Sequence, residues 1–201
     1  MLKLKKIAIT GGLAAGKSSV CRYLQELGAY TVSADDIVHL LLSPSSEVGK
    51  KIIEIFGQDV VNDGTFDRKK IAAIAFSNRT KLQRLEEILH PAVLQEIQKQ
   101  YHNLLTHNPP PLFVAEIPLL FETSSEDYFD DVVVVIAPEP VSRQRFSDQP
   151  GQSDEQYLLR TARLLPIEEK IHRANFVIHN DGSQEQLKKQ VRTLFELLVS
   201  Q

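Results

Sequence analysis

The chain reads as an α/β protein built on a doubly wound parallel sheet, and three observations in the sequence predict it. Five short apolar runs rich in β-branched and aromatic residues are spaced along 201 residues. Helical patterning separates most of them, which calls for right-handed crossovers between parallel strands. The first run is followed at once by Gly11-Gly12-Leu13-Ala14-Ala15-Gly16-Lys17-Ser18, a glycine-rich turn opening a helix.

The first strand is read from Leu4, Ile7, Ala8 and Ile9, and the helix after the turn covers Ser18 to Leu27. The intervening octapeptide matches G-x-x-x-x-G-K-[ST], a loop that binds phosphate through inward-turned backbone amides and the positive end of the following helix. A nucleoside triphosphate is therefore the predicted ligand, with magnesium as MgATP. Residues Gly11, Gly12, Leu13, Ala14, Ala15, Gly16, Lys17, Ser18 and Ser19 form its phosphate site. Lys17 is placed on the terminal phosphates, and Ser18 is the expected metal ligand.

The second strand is Tyr30 to Val32. A long stretch from 36 to 111 then intervenes, far more than a crossover needs, and is predicted to be an inserted helical subdomain for a second substrate, with a purely stabilising embellishment as the alternative. Its helices are read at Ile37 to Leu42, Val48 to Phe56, Arg68 to Phe76, Thr80 to Leu89 and Ala92 to Leu105. Ser43-Pro44, Asp63-Gly64 and His90-Pro91 are read as the breaks between them. Asn108-Pro109-Pro110-Pro111 reads as a stiff loop into the third strand, Leu112 to Ile117. The fourth and fifth strands are Asp131 to Ala137 and Phe176 to Ile178. Between those two, residues 139–166 are predicted to form a helical lid, with Pro150-Gly151 as a pivot.

Composition agrees with a compact enzyme: 42% hydrophobic and 24% charged residues supply a sizeable core. The net charge of −3, with both signs interspersed, presents no basic face for nucleic acid and no polybasic run for membrane. Lys3, Lys5 and Lys6 precede an apolar run too short for a signal core or a membrane span, so a cytoplasmic location is expected. Cys21 is the only cysteine, which excludes an internal disulfide and a cysteine-rich zinc site. A monomer or weak homo-oligomer is expected.

Ligands in open α/β sheets bind beyond the carboxyl ends of the strands. That rule selects Asp35, Glu116 and Asn180, each at or just after a strand. Three nucleotide-dependent classes fit the loop: a small-molecule kinase, a motor or transport hydrolase, and a guanine-nucleotide switch. No Asn-Lys-x-Asp guanine-reading tetrapeptide occurs, and the strand Val132 to Ile136 runs into Ala137-Pro138 rather than a magnesium-holding aspartate. A small-molecule kinase fits best.

Six motifs in order then resemble the dephospho-coenzyme A kinase family, over Ile7 to about Val191. They are Thr10-Gly11-Gly12, Ala34-Asp35-x-Ile37, Asp63-Gly64-x-x-Asp67-Arg68, Ile88-Leu89-His90-Pro91, Pro118-Leu119-Leu120-Phe121-Glu122 and Ala174-x-x-Val177-Ile178-x-Asn180-x-Gly182. The resemblance implies transfer of the ATP γ-phosphoryl group to the ribose 3′-hydroxyl of dephospho-coenzyme A, the last step of coenzyme A synthesis. Its partners would then be ATP and dephospho-coenzyme A.

Such chemistry needs a carboxylate to orient the weakly nucleophilic hydroxyl and accept its proton, and Asp35 is the residue expected to do so. An N-cap for the helix at Ile37 is its structural alternative. Cations must also meet the charge that spreads over the γ-oxygens. Arg145 is the first choice, with Arg160 and Arg163 behind it on the next helix; an ordinary solvated basic helix is the alternative. His90 and Arg160 are read as contributors to the acceptor pocket, although His90 could equally serve the junction of two helices. Asn180 and Gly182 are expected beside the adenine. Glu116 and Glu122 could meet the metal through water, cap a turn or pair with a lid arginine.

The chain departs from the family at four positions. Ser33 stands where an aspartate is expected, Ala14 replaces a loop glycine, Gln149 stands for an arginine and Leu164 for a glutamine. If Ala14 adopts positive φ it carries strain of about 1 kcal/mol. Another small-molecule or nucleoside monophosphate kinase, and a nucleotide-binding regulator without turnover, remain as alternatives.

Overall fold

In a computed structural model describing residues 4–106 and 109–200, the chain alternates strands and helices. Lys3 and Asn108 lie outside the described residues. Contacts divide the chain into two compact units, Met1–Ser33 with Tyr101–Gln201, and Ala34–Gln100.

The first unit holds a five-stranded parallel sheet. Its strands are β1 (Lys5–Gly11), β2 (Tyr30–Ser33), β5 (Leu112–Glu116), β6 (Asp131–Ile136) and β7 (Phe176–His179), in the order β2-β5-β1-β6-β7. β1 is central, with Ile7 opposite Val114 on one side and Ile9 opposite Val133 on the other. Both faces of the central strands are covered, which explains the unbroken apolar runs rather than strict alternation. One face packs on α1 (Lys17–Glu26) and α9 (Gln184–Ser200). Val20 and Leu24 of α1 and Leu187, Val191, Leu194 and Leu198 of α9 close over Ile7, Ile9, Val133, Val135 and Ile178. Burying side chains of this size contributes about 1.5–3 kcal/mol each.

β7 is an edge strand, and its exposed backbone is satisfied locally. Gln190 of α9 accepts from the His179 amide at 3.2 Å and donates to the His179 carbonyl at 2.8 Å. A side chain thus completes the ladder and blunts the edge.

The second unit comprises α2 (Ala34–Leu41), α3 (Glu47–Phe56), a hairpin of β3 (Val61–Asn62) and β4 (Thr65–Phe66), α4 (Arg68–Ser77) and most of α5 (Arg79–Leu104). Ile52, Phe56, Val60, Phe66, Ile71 and Ala75 form its core, lined further by Leu82, Leu85 and Leu89. Ser46 and Asp67 cap α3 and α4 through the Gly49 and Lys70 amides.

Readings of the sequence change here at several points. The helices expected at Thr80 to Leu89 and Ala92 to Leu105 are one continuous helix, α5, with Pro91 inside it. An internal proline costs about 3 kcal/mol, but Pro91 is exposed, as is Glu87, whose carbonyl loses its helical donor. Water can satisfy that carbonyl, while Leu82, Leu85 and Leu89 before the proline and the buried Val93 and Ile97 after it hold both halves in line. His90 therefore lies within a helix and joins no two.

Asp63-Gly64 is not merely a break but the turn of the β3–β4 hairpin, with φ of 49° and 75°. Two positive φ values in a two-residue loop match the twist of paired strands. Strands of two residues have no periodicity to read. Finally, α2 begins at Ala34, so Asp35 occupies its first turn and is not the N-cap of a helix at Ile37. Asp35 and Asp36 there complement the helix dipole.

α6 (Glu139–Ser147), α7 (Asp154–Thr161) and α8 (Ile167–Arg173) follow β6. Ser153 and Gln156 form a capping box that starts α7, just beyond the Pro150-Gly151 turn where Gly151 has φ of 75°. α7 ends at Thr161, so Arg163 lies past the helix and does not share a helical face with Arg160.

Candidate active site

The phosphate-loop residues sit where β1 delivers them, at the carboxyl edge of the sheet. Gly11 (φ 143°) passes so close to β6 that a Cβ there would lie 2.0 Å from the Val135 carbonyl oxygen. The Gly12 amide donates to that oxygen at 3.2 Å. Ala14 adopts φ of 52°, the left-handed conformation in which an alanine is strained. Gly16 (φ 98°) precedes α1 and supplies no side-chain cap, so the helix opens on donors available to an anion.

Lys17 is buried and arches back to donate its ammonium to the Gly12 carbonyl at 2.8 Å. Ser18 Oγ donates to Glu116 Oε1 at 3.0 Å. Glu116 ends β5, registered opposite Ile9 of β1 and Ser33 of β2, so the sheet itself presents its carboxylate to the loop. Cys21, one turn further along α1, lies under this carboxylate. Burial, then the negative charge of Glu116, pushes its thiol pKa well above the ordinary value, with Lys17 acting in the opposite direction. It is thus an inert core thiol.

From the far side of the sheet, the β7–α9 loop braces the phosphate loop. Asn180 is buried, donates Nδ2 to the Ala15 carbonyl at 2.8 Å, and has its own amide bonded to the Ile136 carbonyl at 2.8 Å. A Cβ on Gly16 would meet Asn180 Nδ2 at 2.1 Å. Arg145, on α6, donates Nη1 to the Asn180 carbonyl at 3.4 Å, which brings its guanidinium beside the loop. The expected adenine neighbour Asn180 therefore spends its side chain on the loop. Gly182, two residues on, leads into the Ser183 cap of α9. A cleft of about 320 Å³ opens at the ends of β6 and β7, walled by Ile136, Pro138, Ile167 and Ile171, with His179 and Asp181 at its lining.

Two arginines of α6 and α7 rest on partners within these helices. Arg143 of α6 pairs with Asp154 of α7, and Phe146 meets Tyr157 edge-on with ring centroids 5.6 Å apart. Arg160 lies 5.3 Å from the Phe146 ring centroid, parked on an aromatic face. Glu122 Oε1 accepts the Leu165 amide at 2.8 Å and sits 2.7 Å from the Lys170 ammonium. Lys170 was not foreseen, because Ile167-Glu168-Glu169-Lys170-Ile171-His172-Arg173 carries no sign in sequence that the lysine is buried.

Within the first unit the fold thus gathers Gly11 to Ser19, Glu116, Arg145 and Asn180. Asp35 and His90 belong to the second unit, Asp35 exposed in the first turn of α2 and His90 half-buried in α5. Oxygen donors 3.0 Å apart on Ser18 and Glu116 suit a hard cation carried by phosphates.

Comparison with known proteins agrees with this geometry. A family model described as dephospho-CoA kinase matches residues 5–186. The chain is 45% identical over 198 residues to the dephospho-CoA kinase of Chlamydia pneumoniae, covering 98% of both chains. Among solved structures, a Thermus thermophilus protein superposes with TM-score 0.82 at 29% identity, covering 98% of this chain and 99% of that one. Dephospho-CoA kinase from Campylobacter jejuni gives TM-score 0.73 at 27% identity, covering 97% of each. Sheet order, phosphate loop and full-length similarity converge: the chain belongs to the dephospho-CoA kinase family and is an enzyme of ATP-dependent dephospho-CoA phosphorylation in coenzyme A biosynthesis.

Proposed function

We propose that the group phosphorylated is the ribose 3′-hydroxyl of dephospho-coenzyme A, with the roles below for this chain's residues. The observation that carries the reading is the Ser18–Glu116 contact, which sets a hydroxyl and a carboxylate at the mouth of the phosphate loop, with Arg145 beside the same loop. Backbone amides of Gly11 to Ser19 cradle the phosphates, and Lys17 exchanges its bond to the Gly12 carbonyl for phosphate oxygens. Ser18 Oγ, with the Glu116 carboxylate beside it, would hold magnesium brought with ATP, and the ion would supply neutralisation of phosphate charge.

Arg145 faces the charge that develops on the transferred group, and Arg160 joins it on leaving the Phe146 ring. Asp35 orients the acceptor hydroxyl and accepts its proton as the new O–P bond forms. Residues 36–111 supply the acceptor pocket, with His90 and Arg160 among its contacts, and residues 139–166 act as the lid. The apolar cleft at β6 and β7 is suited to the adenine, beside Gly182 and the backbone of Asn180. Among the described residues no helix is long and apolar enough to cross a membrane. The enzyme is read as cytoplasmic and as a monomer or weak homo-oligomer.

ADP release is the direct test, measured with MgATP in the presence and absence of dephospho-coenzyme A and with product analysis by mass and by NMR. Acceptor-dependent ADP with phosphate on the 3′-oxygen is expected. Phosphate on another oxygen would refute the regiochemistry, and tight ATP binding without turnover would favour a regulatory role.

A further inference from the structure

Lys170 is wholly buried on α8, and its ammonium has Glu122 Oε1 at 2.7 Å. The approach falls outside hydrogen-bond alignment, so the contact is Coulombic, and Glu122 Oε2 is buried with no hydrogen-bond partner. Glu122 Oε1 also accepts the Leu165 amide. Such a pair is a poor device for stability alone, because desolvation offsets attraction and apolar side chains of equal volume often do as well. What it does supply is one permitted arrangement of the segments that carry it.

Those segments connect the phosphate site to the lid. Glu122 lies in the loop leaving β5, whose last residue, Glu116, holds Ser18. Leu165 and Lys170 lie on the return path from α7 into α8, just after Arg160. A second tie follows the same route, for Arg173 pairs with Glu126 and its guanidinium lies 4.5 Å from the Phe121 ring centroid. The front of α7, by contrast, is held by the Arg143–Asp154 pair, which is open to solvent and easily exchanged.

We propose that Glu122 and Lys170 are positioning residues that anchor the rear hinge of the lid. They hold residues 162–166 against the β5 exit loop, so that α7 swings about a fixed end and brings Arg160 from the Phe146 ring to the phosphates. The inference rests on the reading of Arg160 as a lid arginine, and the experiment separates the two.

The variant is Glu122→Leu with Lys170→Met, which removes both charges and leaves none buried alone; Glu122→Gln with Lys170→Met, also free of an unpaired buried charge, carries the same kcat expectations if the first double variant does not fold. In the full-length protein with ADP bound, hydrogen exchange at the Leu165 amide should accelerate. Displacement of a catalytic group should lower kcat by about tenfold to a hundredfold, with KM for ATP little changed. Combined with Arg160→Ala, the anchor change should lower kcat no further, because both act through one arginine. Parental kcat and exchange, or a fully additive loss with Arg160→Ala, would overturn the anchor. Parental kcat in Arg160→Ala alone would instead overturn the lid reading.

Discussion

Asn180 donates its side-chain amide to the Ala15 carbonyl at 2.8 Å, joining the β7–α9 loop to the phosphate loop across 165 positions of sequence. Gly16 leaves the space that amide occupies, since its Cβ would stand 2.1 Å from Asn180 Nδ2. Asn180→Ala should therefore loosen the loop and weaken MgATP binding by about tenfold, the worth of one buried hydrogen bond and its orphaned acceptor. Gly16→Ala, which adds left-handed strain to the clash, should abolish binding. Calorimetric titration with a non-hydrolysable ATP analogue measures both, and unchanged affinity in Gly16→Ala would contradict the brace.

Ala14 holds φ of 52° at a position where glycine is unstrained. Ala14→Gly relieves strain in the folded state but adds freedom to the unfolded chain, leaving a net gain of about 0.5 kcal/mol. Urea unfolding should show a higher midpoint with an unchanged slope.

Glu116 has Ser18 as a partner at the loop and lies over Cys21. Glu116→Gln keeps the shape but loses the charge that would align a metal-bound water. Loss of an outer-sphere metal partner of this kind costs about tenfold to a hundredfold in affinity or activity. Magnesium titration of turnover should show a raised half-saturation concentration.

Cys21 makes stability depend on pH in one direction. Its folded pKa is raised above the ordinary value of 9.0, so below that pH the thiol is neutral in both states and contributes no slope. As pH rises above 9.0, the unfolded chain releases the proton and the folded chain does not, so stability falls, at about 1.4 kcal/mol per pH unit at most. Subtracting the urea stability curve of Cys21→Ala from that of the parent isolates this slope, and parallel curves from pH 8 to 10 would contradict it.

Asp35→Asn should reduce turnover by about two to four orders of magnitude while leaving ATP affinity nearly intact, as removal of a proton acceptor does. Single-turnover kinetics with saturating MgATP makes the measurement, and parental rates would remove Asp35 as the base.

The five sheet strands were readable because each is an apolar run bounded by turn residues, and Gly11 to Ser18 because strand, glycine pattern and helix coincide. Local signals misled at Pro91, where burial on both sides outweighs a missing hydrogen bond, and at Asp63-Gly64, whose strands are too short to show a period. The β5 end at Glu116 was visible as a strand terminus; its contact with Ser18 was not, because the two are 98 positions apart.

By itself, the chain's order of residues determined the five strands of the parallel sheet, the conformationally special turn at the phosphate loop and the family to which the chain belongs, since all three are written in local spacing and ordered motifs. Only the tertiary structure decided that Glu116 meets Ser18, that Asn180 braces Ala15, and that Lys170 is buried against Glu122. Hydrophobic periodicity specifies which face of an element is buried, but pairing between distant polar groups follows from sheet order and register, which exist only once the strands have assembled.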